Sequence, residues 1–272
     1  MFIKKLIKNV MPIGLYILSN KIKYLIYQLR TSNGYKGKYN SFSDAINFNN
    51  KYIDGFKSEE YNKNILKKTK NIENNIKSLT PVVNINDFIL SMEIILHISQ
   101  GNKILDIGGS IGHHYLNIKS TINDLDFYKS SEPKYFIMEN KNLLNSINSY
   151  FFNEKFIGIT EHPIKADLVI MSSTLHYIED WKSLIKTLID LGTKKFVLSR
   201  VPVHSGNTFI SFQVIEEGGF PCYFFNEKDI IDFFSENQFY LKKKWACPEN
   251  HAVYFGPAKN DSKYGYGFIF QK

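Results

Sequence analysis

From residue 85 onward, short apolar runs alternate with segments whose apolar positions follow helical spacing. Strands joined by helices in this way build a parallel sheet covered on both faces. The runs are Ile104–Ile107, Tyr135–Met138, 155–159 (KFIGI), 166–171 (ADLVIM) and 194–199 (KKFVLS), the last continuing through Arg200 to His204. Helical spacing marks Ile85–Ser99, 115–121, 181–191 and 230–237. Two closing runs, 240–245 and 264–271, flank a loop holding Pro248, Gly256 and Pro257, which predicts an antiparallel hairpin at the end of the sheet. The expected fold class is α/β: a Rossmann-like, seven-stranded sheet with an N-terminal helical extension.

The first 84 residues follow a different pattern. Residues 2–11 (FIKKLIKNVM) put Phe2, Ile3, Leu6, Ile7 and Val10 on one helical face and lysines on the other, and Pro12 ends the pattern. Residues 13–30 are apolar and tyrosine-rich, but the longest uncharged run, 9–20, is too short to span a bilayer. Residues 31–85 are polar and rich in Asn and Lys, with helical spacing over Phe42–Phe48 and 61–76. This predicts two units, a basic helical extension and cap over 1–84 and a Rossmann-like domain over 85–272.

Between the first strand and its helix the chain reads KILDIGGSIGHHYL, a buried strand carrying Asp106, then Gly108, Gly109, Ser110, Ile111 and Gly112. Glycines there let the backbone turn sharply and let a nucleotide-like ligand lie against it. The spacing is GGxxG, one residue tighter than the dinucleotide fingerprint GxGxxG. The second strand closes on Glu139, placed to accept hydrogen bonds from ribose hydroxyls. Ligands of such sheets sit beyond the carboxyl ends of the strands, so one crevice is expected to collect Asp106 to Gly112, Glu139, Ser172 and Ser173 through His176, and Arg200 through His204.

Charge changes the picture only at one end. The net charge is +8, yet residues 1–43 hold eight cations and no acid, which leaves 26 cations against 26 acids in the rest. A balanced domain without a nucleic-acid-binding motif excludes a broad phosphate-tracking surface, so no nucleic-acid partner is expected. The basic segment 2–11 is expected either to rest on an anionic membrane surface or to pack on the domain or on a second subunit of a homodimer. Cys222 and Cys247, without CxxC pairing, suit a reducing, cytoplasmic compartment.

Taken together, ILDIGGSIGHHY, FIMEN, LVIMSSTLHYIEDW and FVLSRVP resemble class I S-adenosylmethionine-dependent methyltransferases over about residues 85–272. More narrowly, 35–42 (YKGKYNSF) and the core 108–115 (GGSIGHHY) resemble a bacterial methyltransferase family associated with surface polysaccharide gene clusters. The resemblance implies S-adenosylmethionine as the cofactor, held by Asp106, Gly108, Gly109, Ser110, Gly112, Glu139, Ser172 and Ser173, with His114 and Tyr115 lining its pocket. It implies a hydroxyl acceptor without naming it, and the expected acceptor is a sugar or phosphorylated glycan precursor. Methyl transfer needs a base for the acceptor's proton, and His176 and His204 follow strand ends where one is wanted. Arg200 is expected to hold an anionic group of the substrate, and Tyr35 and Tyr39 to stack on it. His113 and His114 lack partners at metal-ligand spacing, and no metal is expected. Two other functions compete: a nicotinamide-dependent sugar oxidoreductase or epimerase, disfavoured because Tyr150, Tyr177 and Tyr223 all lack a lysine four residues on, and a non-catalytic membrane-associated scaffold that keeps the fold.

Overall fold

The computed structural model describes residues 34–52, 54–77, 85–122, 134–151, 155–215, 218–247, 254–255 and 265–272; the segment 2–11 lies outside them. In chain order the described elements are β1 (Gly34–Tyr39), α1 (Phe42–Phe48), α2 (Glu59–Lys77), α3 (Ile85–Ser99), β2 (Ile104–Ile107), α4 (His113–Ile122), β3 (Tyr135–Met138), α5 (Lys141–Tyr150), β4 (Ile157–Thr160) and β5 (Leu168–Ser172). There follow α6 (Trp181–Asp190), β6 (Lys195–His204), β7 (Phe209–Ile215), β8 (Gly218–Asn226), α7 (Glu227–Glu236), β9 (Tyr240–Cys247), β10 (Tyr254–Phe255) and β11 (Gly265–Gln271).

Strands β4, β3, β2, β5 and β6 lie side by side and parallel, with Ile104 in register with both Tyr135 and Leu168. β11 pairs antiparallel with β6, and β9 pairs antiparallel with β11. This is the seven-stranded, mostly parallel Rossmann-like sheet that the apolar runs predict, closed by its antiparallel hairpin. The central strands carry almost no polar residues because both their faces are covered. Alternate side chains enter opposite cores: Ile104, Leu168, Ile170 and Val197 join α3, α4 and α5 on one face, while Leu105, Val169, Met171, Phe196 and Leu198 join α6 and α7 on the other.

The polar N-terminal stretch departs from the helical reading, since it contains a strand as well as helices. β1 pairs antiparallel with β7, β7 with β8, and β10 runs parallel along β1's other edge. This antiparallel group joins the main sheet where the far end of β6 pairs with β8, at Val203↔Phe225 and His204↔Asn226. No element is predicted from the sequence over 205–229, a stretch that carries Gly206, Gly218, Gly219 and Pro221. The strands form there because their apolar residues face two small cores, Ile210, Phe212 and Val214 against Phe42 and Ala45 of α1, and Cys222 and Phe224 against Tyr35. Among the described residues no helix is long and apolar enough to cross a membrane.

Candidate functional site

The turn after β2 is conformationally unusual. Gly108 (φ 68°), Ser110 (φ 53°) and Gly112 (φ 63°) all take left-handed backbone conformations, which cost a non-glycine residue about 1–2 kcal/mol. Space demands glycine as well. A Cβ on Gly108 would collide with the Thr174 hydroxyl, and one on Gly109 would lie 2.6 Å from Asp106 Oδ2. The Asp106 carboxylate therefore lies directly beneath the turn, fully buried. Its Oδ2 accepts a hydrogen bond from the Tyr135 hydroxyl at 2.5 Å and is 2.9 Å from His114 Nδ1, the first turn of α4 bringing that ring back over the strand end. Asp106 Oδ1 is buried and accepts no hydrogen bond among the described residues.

β3 brings Glu139 alongside. The Gly108 amide donates to the Met138 carbonyl at 2.8 Å, which fixes the turn to the neighbouring strand end. Glu139 Oε1 accepts from the Ser110 amide at 3.1 Å, and Oε2 from the amide and side chain of Asn140 at 2.8 and 2.9 Å. Burial raises its pKa above the ordinary carboxylate range, the Asn140 and Ser110 amides pull it back, and the nearby Asp106 raises it further.

Beyond β5, Ser173 is again left-handed (φ 56°), and on β6 Arg200 is too (φ 56°). Arg200 lies in a β-bulge, where the register with β11 shifts between Tyr266 and Phe268. Its Nη1 donates to Ser172 Oγ at 2.8 Å. Strain held by surrounding packing at two adjacent strand ends is the kind of observation that points to function.

These strand ends open on one cleft of about 700 Å³. Its floor is the glycine turn, one wall is Met138, Glu139, Asn140 and Glu161 from the ends of β3 and β4, and the other is Ser172, Ser173, Thr174 and Arg200. The roof comes from the N-terminal part of the chain: Phe56, and Tyr61, Ile65 and Lys68 at helical spacing on α2. Phe56, Tyr61, Tyr177 and Phe220 form a ring cluster at the roof, with Phe56 and Phe220 centroids 4.3 Å apart. α2 is tied to α4 through the buried Thr69, whose Oγ1 lies 2.8 Å from His113 Nε2. Because that hydroxyl donates its only proton to the Ile65 carbonyl (3.0 Å), His113 is the donor in the pair.

Of the residues singled out from sequence, Gly108, Gly109, Ser110, His114, Glu139, Ser172, Ser173 and Arg200 line the cleft, with Asp106 just below it. Five others stand elsewhere, and Gly112 lies behind the turn against Phe151. Tyr115 is fully buried among Tyr135, Phe151 and Phe156, on the core side of α4. His176 follows the strand as expected, but a single 3-10 turn over Leu175–Tyr177 faces Thr174 and Tyr177 to the cleft and His176 inward. It is 2% exposed, its Nδ1 has no hydrogen bond among the described residues, and burial pushes its pKa down to about 3, so it is neither placed nor basic enough to take a proton from an acceptor. His204 is carried past the bulge to the join with β8, where it borders a separate cleft with Asn226 and Lys228. Tyr35 packs edge-on against Phe224, 4.8 Å between centroids, and the Tyr39 hydroxyl accepts from Asn49 at 2.9 Å; both belong to the antiparallel group. The roof residues Phe56, Tyr61, Ile65 and Lys68 escape sequence reading. The only signal for them is the helical spacing over 61–76, which says nothing about what α2 covers. Among the described residues no group of three or more His, Cys, Asp or Glu side chains is placed to hold a metal.

No family model and no curated protein matches this sequence. Solved structures are similar at a distance. The Burkholderia thailandensis 1,6-didemethyltoxoflavin-N1-methyltransferase, with bound 1,6-didemethyltoxoflavin and S-adenosylhomocysteine, aligns over 69% of this chain and 78% of its own, with 11% identity and a TM-score of 0.46. A S-adenosylmethionine-dependent methyltransferase from Clostridium acetobutylicum aligns over 76% and 98%, with 11% identity and a TM-score of 0.46. The magnesium protoporphyrin IX methyltransferase of Synechocystis, with bound S-adenosylhomocysteine, aligns over 69% and 89%, with 12% identity and a TM-score of 0.40.

Proposed function

We propose that this chain is an S-adenosylmethionine-dependent methyltransferase acting on a hydroxyl of a sugar or phosphorylated glycan precursor of surface polysaccharide synthesis. The observation that carries the donor is the pair of acids at the glycine turn. A dinucleotide needs the turn's amides for its pyrophosphate. Here the Ser110 amide is held by the Glu139 carboxylate, and the Asp106 carboxylate lies under Gly109. A diphosphate would meet two acids. A sulfonium with a ribose meets what it needs, negative charge nearby and a carboxylate to accept from its hydroxyls.

The transfer is an in-line displacement in which the carbon–sulfur bond breaks as the carbon–oxygen bond forms, the sulfonium becomes a neutral thioether and the acceptor's proton leaves to a base. Positioning supplies most of the rate. Of the cleft's titratable groups, His114 is the imidazole oriented by a buried carboxylate, the arrangement that suits a general base. At the roof, the faces of Phe56, Tyr61 and Tyr177 suit a sugar ring, and the Arg200 fork suits a phosphate.

Calorimetric titration tests the donor directly. S-adenosylmethionine and S-adenosylhomocysteine should bind the folded chain, NADH should not, and Glu139→Ala should weaken the donor about tenfold, the scale of losing hydrogen bonds to a charged acceptor. Absence of donor binding, or preference for the dinucleotide, would overturn the reading. Release of S-adenosylhomocysteine with sugar phosphates or nucleotide sugars, and not with nitrogen heterocycles, tests the acceptor; the reverse preference would remove it.

A further inference from the structure

We propose that the face formed by α1 and the residues that follow it docks on a bilayer bearing anionic headgroups. α1 is short and one-sided. Phe42 and Ala45 enter the small core beneath it, while Ile46 remains 50% and Phe48 78% exposed, the latter the most exposed of the large apolar residues described. The Phe48 ring meets that of Tyr39, 5.8 Å between centroids. Beside it, Lys36 and Lys51 bracket the Tyr52 ring at 5.0 and 5.2 Å, and Lys36 Nζ donates to the Tyr52 hydroxyl at 2.6 Å. Of the neighbouring acids, Asp54 is paired with Lys57, and Asp44 serves the first turn of α1. An aliphatic and an aromatic tip, an amphipathic tyrosine and a rim of lysines are what the boundary between acyl chains and headgroups accommodates.

Charge selects the occupant. β1 follows directly on the basic N-terminal segment, and residues 1–43 carry eight cations without an acid, whereas the rest of the chain is balanced. An anionic lipid surface attracts such an end, each cation close to it adding to the attraction. A second copy is disfavoured, because a two-fold contact would set this basic end against itself. A soluble polyanion would match the lysines and leave Ile46 and Phe48 in water.

The docked face and the cleft roof share a support. Tyr52 rests on Phe212, 6.0 Å away, and Phe56 on Phe220, 4.3 Å away, on the paired strands β7 and β8. A lipid-anchored glycan precursor would thus meet the roof beside the bilayer; that corollary rests on the methyl-transfer reading, while the docking does not.

The full chain should sediment with phosphatidylcholine vesicles that contain phosphatidylglycerol, and not with phosphatidylcholine alone, and high salt should release it. Ile46→Ser combined with Phe48→Ser should lower the partition coefficient about tenfold, with donor affinity unchanged because neither residue lines the cleft. Since both native cysteines are buried, Phe48→Cys takes a polarity-sensitive fluorophore selectively, and its emission should shift to the blue and be quenched by brominated lipid. The proposal is overturned if the chain ignores the anionic vesicles, or if it sediments with an unshifted fluorophore at position 48. It is equally overturned if the double variant partitions like wild type, or if that variant instead changes the chain's mass in lipid-free solution.

Discussion

The glycine turn between β2 and α4 and the aromatic roof between α1 and α2 face each other across one cleft, and they are built on opposite principles. The turn is local. Its floor, its buried acid and the histidine that touches that acid lie within nine residues, Asp106 to His114, and left-handed backbone at Gly108, Ser110 and Gly112 leaves it little freedom. The roof is assembled from distant pieces, Phe56 and Tyr61 meeting Tyr177 and Phe220 only because β7 and β8 form and support them. A turn fixed by sterics suits a donor that must be held identically at every turnover. A roof fixed by ring packing suits an acceptor site, where substitution of a few side chains changes what fits.

The largest effects are expected at the turn. His114→Gln, which keeps a donor toward Asp106 but removes the base, should lower turnover about 10²- to 10⁴-fold while donor affinity stays within about threefold. Turnover that falls no more than donor binding does would show that the ring only supports the turn. Gly108→Ala should destabilise the fold by about 2–5 kcal/mol, combining left-handed strain with overpacking against Thr174. Gly101→Ala is the control. Its φ is +77° with nothing within 4 Å of an added Cβ, so strain alone acts and the cost should be about 1–2 kcal/mol. Equal losses in denaturant melts of the two variants would break the claim that the turn is sterically filled.

What could be read from the sequence follows the same division. The parallel strands were legible because burial on both faces leaves uninterrupted apolar runs such as LVIM, and the turn because its glycines and acid are contiguous. The antiparallel group was not. One of its strands carries Gly218, Gly219 and Pro221, and the group is held by the pairing of β7 with β1, about 175 residues earlier in the chain, which no local pattern reports. The histidines show the limit within the site itself. His176 was rightly placed after a strand end, whereas β6 runs on through His204 itself; a single 3-10 turn and a single bulge decide which way a side chain faces, and neither histidine faces the cleft. His114, read only as pocket lining, gained its significance from Asp106, a contact across the turn that spacing alone does not reveal.

Acid titration should separate the carboxylate of the cleft from the histidine buried behind it, at an intermediate scale. His176 is neutral when folded, with its pKa near 3, and titrates near 6.5 when unfolded. Stability from keeping it neutral is present above about pH 6.5 and is lost as pH falls toward 3, so about 2 kcal/mol should disappear between pH 7 and 5. His176→Leu should flatten that limb. Glu139 acts in the opposite sense, because its folded pKa is raised by burial. It favours folding below its unfolded pKa, and that contribution fades as pH rises through the raised value. Glu139→Ala should therefore steepen the acid limb that His176→Leu flattens. Urea melts of both variants at pH 7 and 5 decide the matter, and parallel pH profiles would mean that neither group titrates as its burial requires.

The smallest effect tests whether roof and turn are as separate as their construction suggests. Tyr61 touches Phe56 and Phe220 at the roof, 6.2 and 5.6 Å between centroids. Tyr61→Ala removes one face of an aromatic cluster, a change worth about 1 kcal/mol. The acceptor's KM should therefore rise about fivefold, with the dissociation constant of S-adenosylmethionine unchanged in calorimetry. Glu139→Ala should show the mirror image, a weakened donor with an acceptor KM close to wild type once donor is saturating. If Tyr61→Ala weakens donor and acceptor alike, the link through Thr69 and His113 transmits the roof's packing to α4, and the cleft works as one unit.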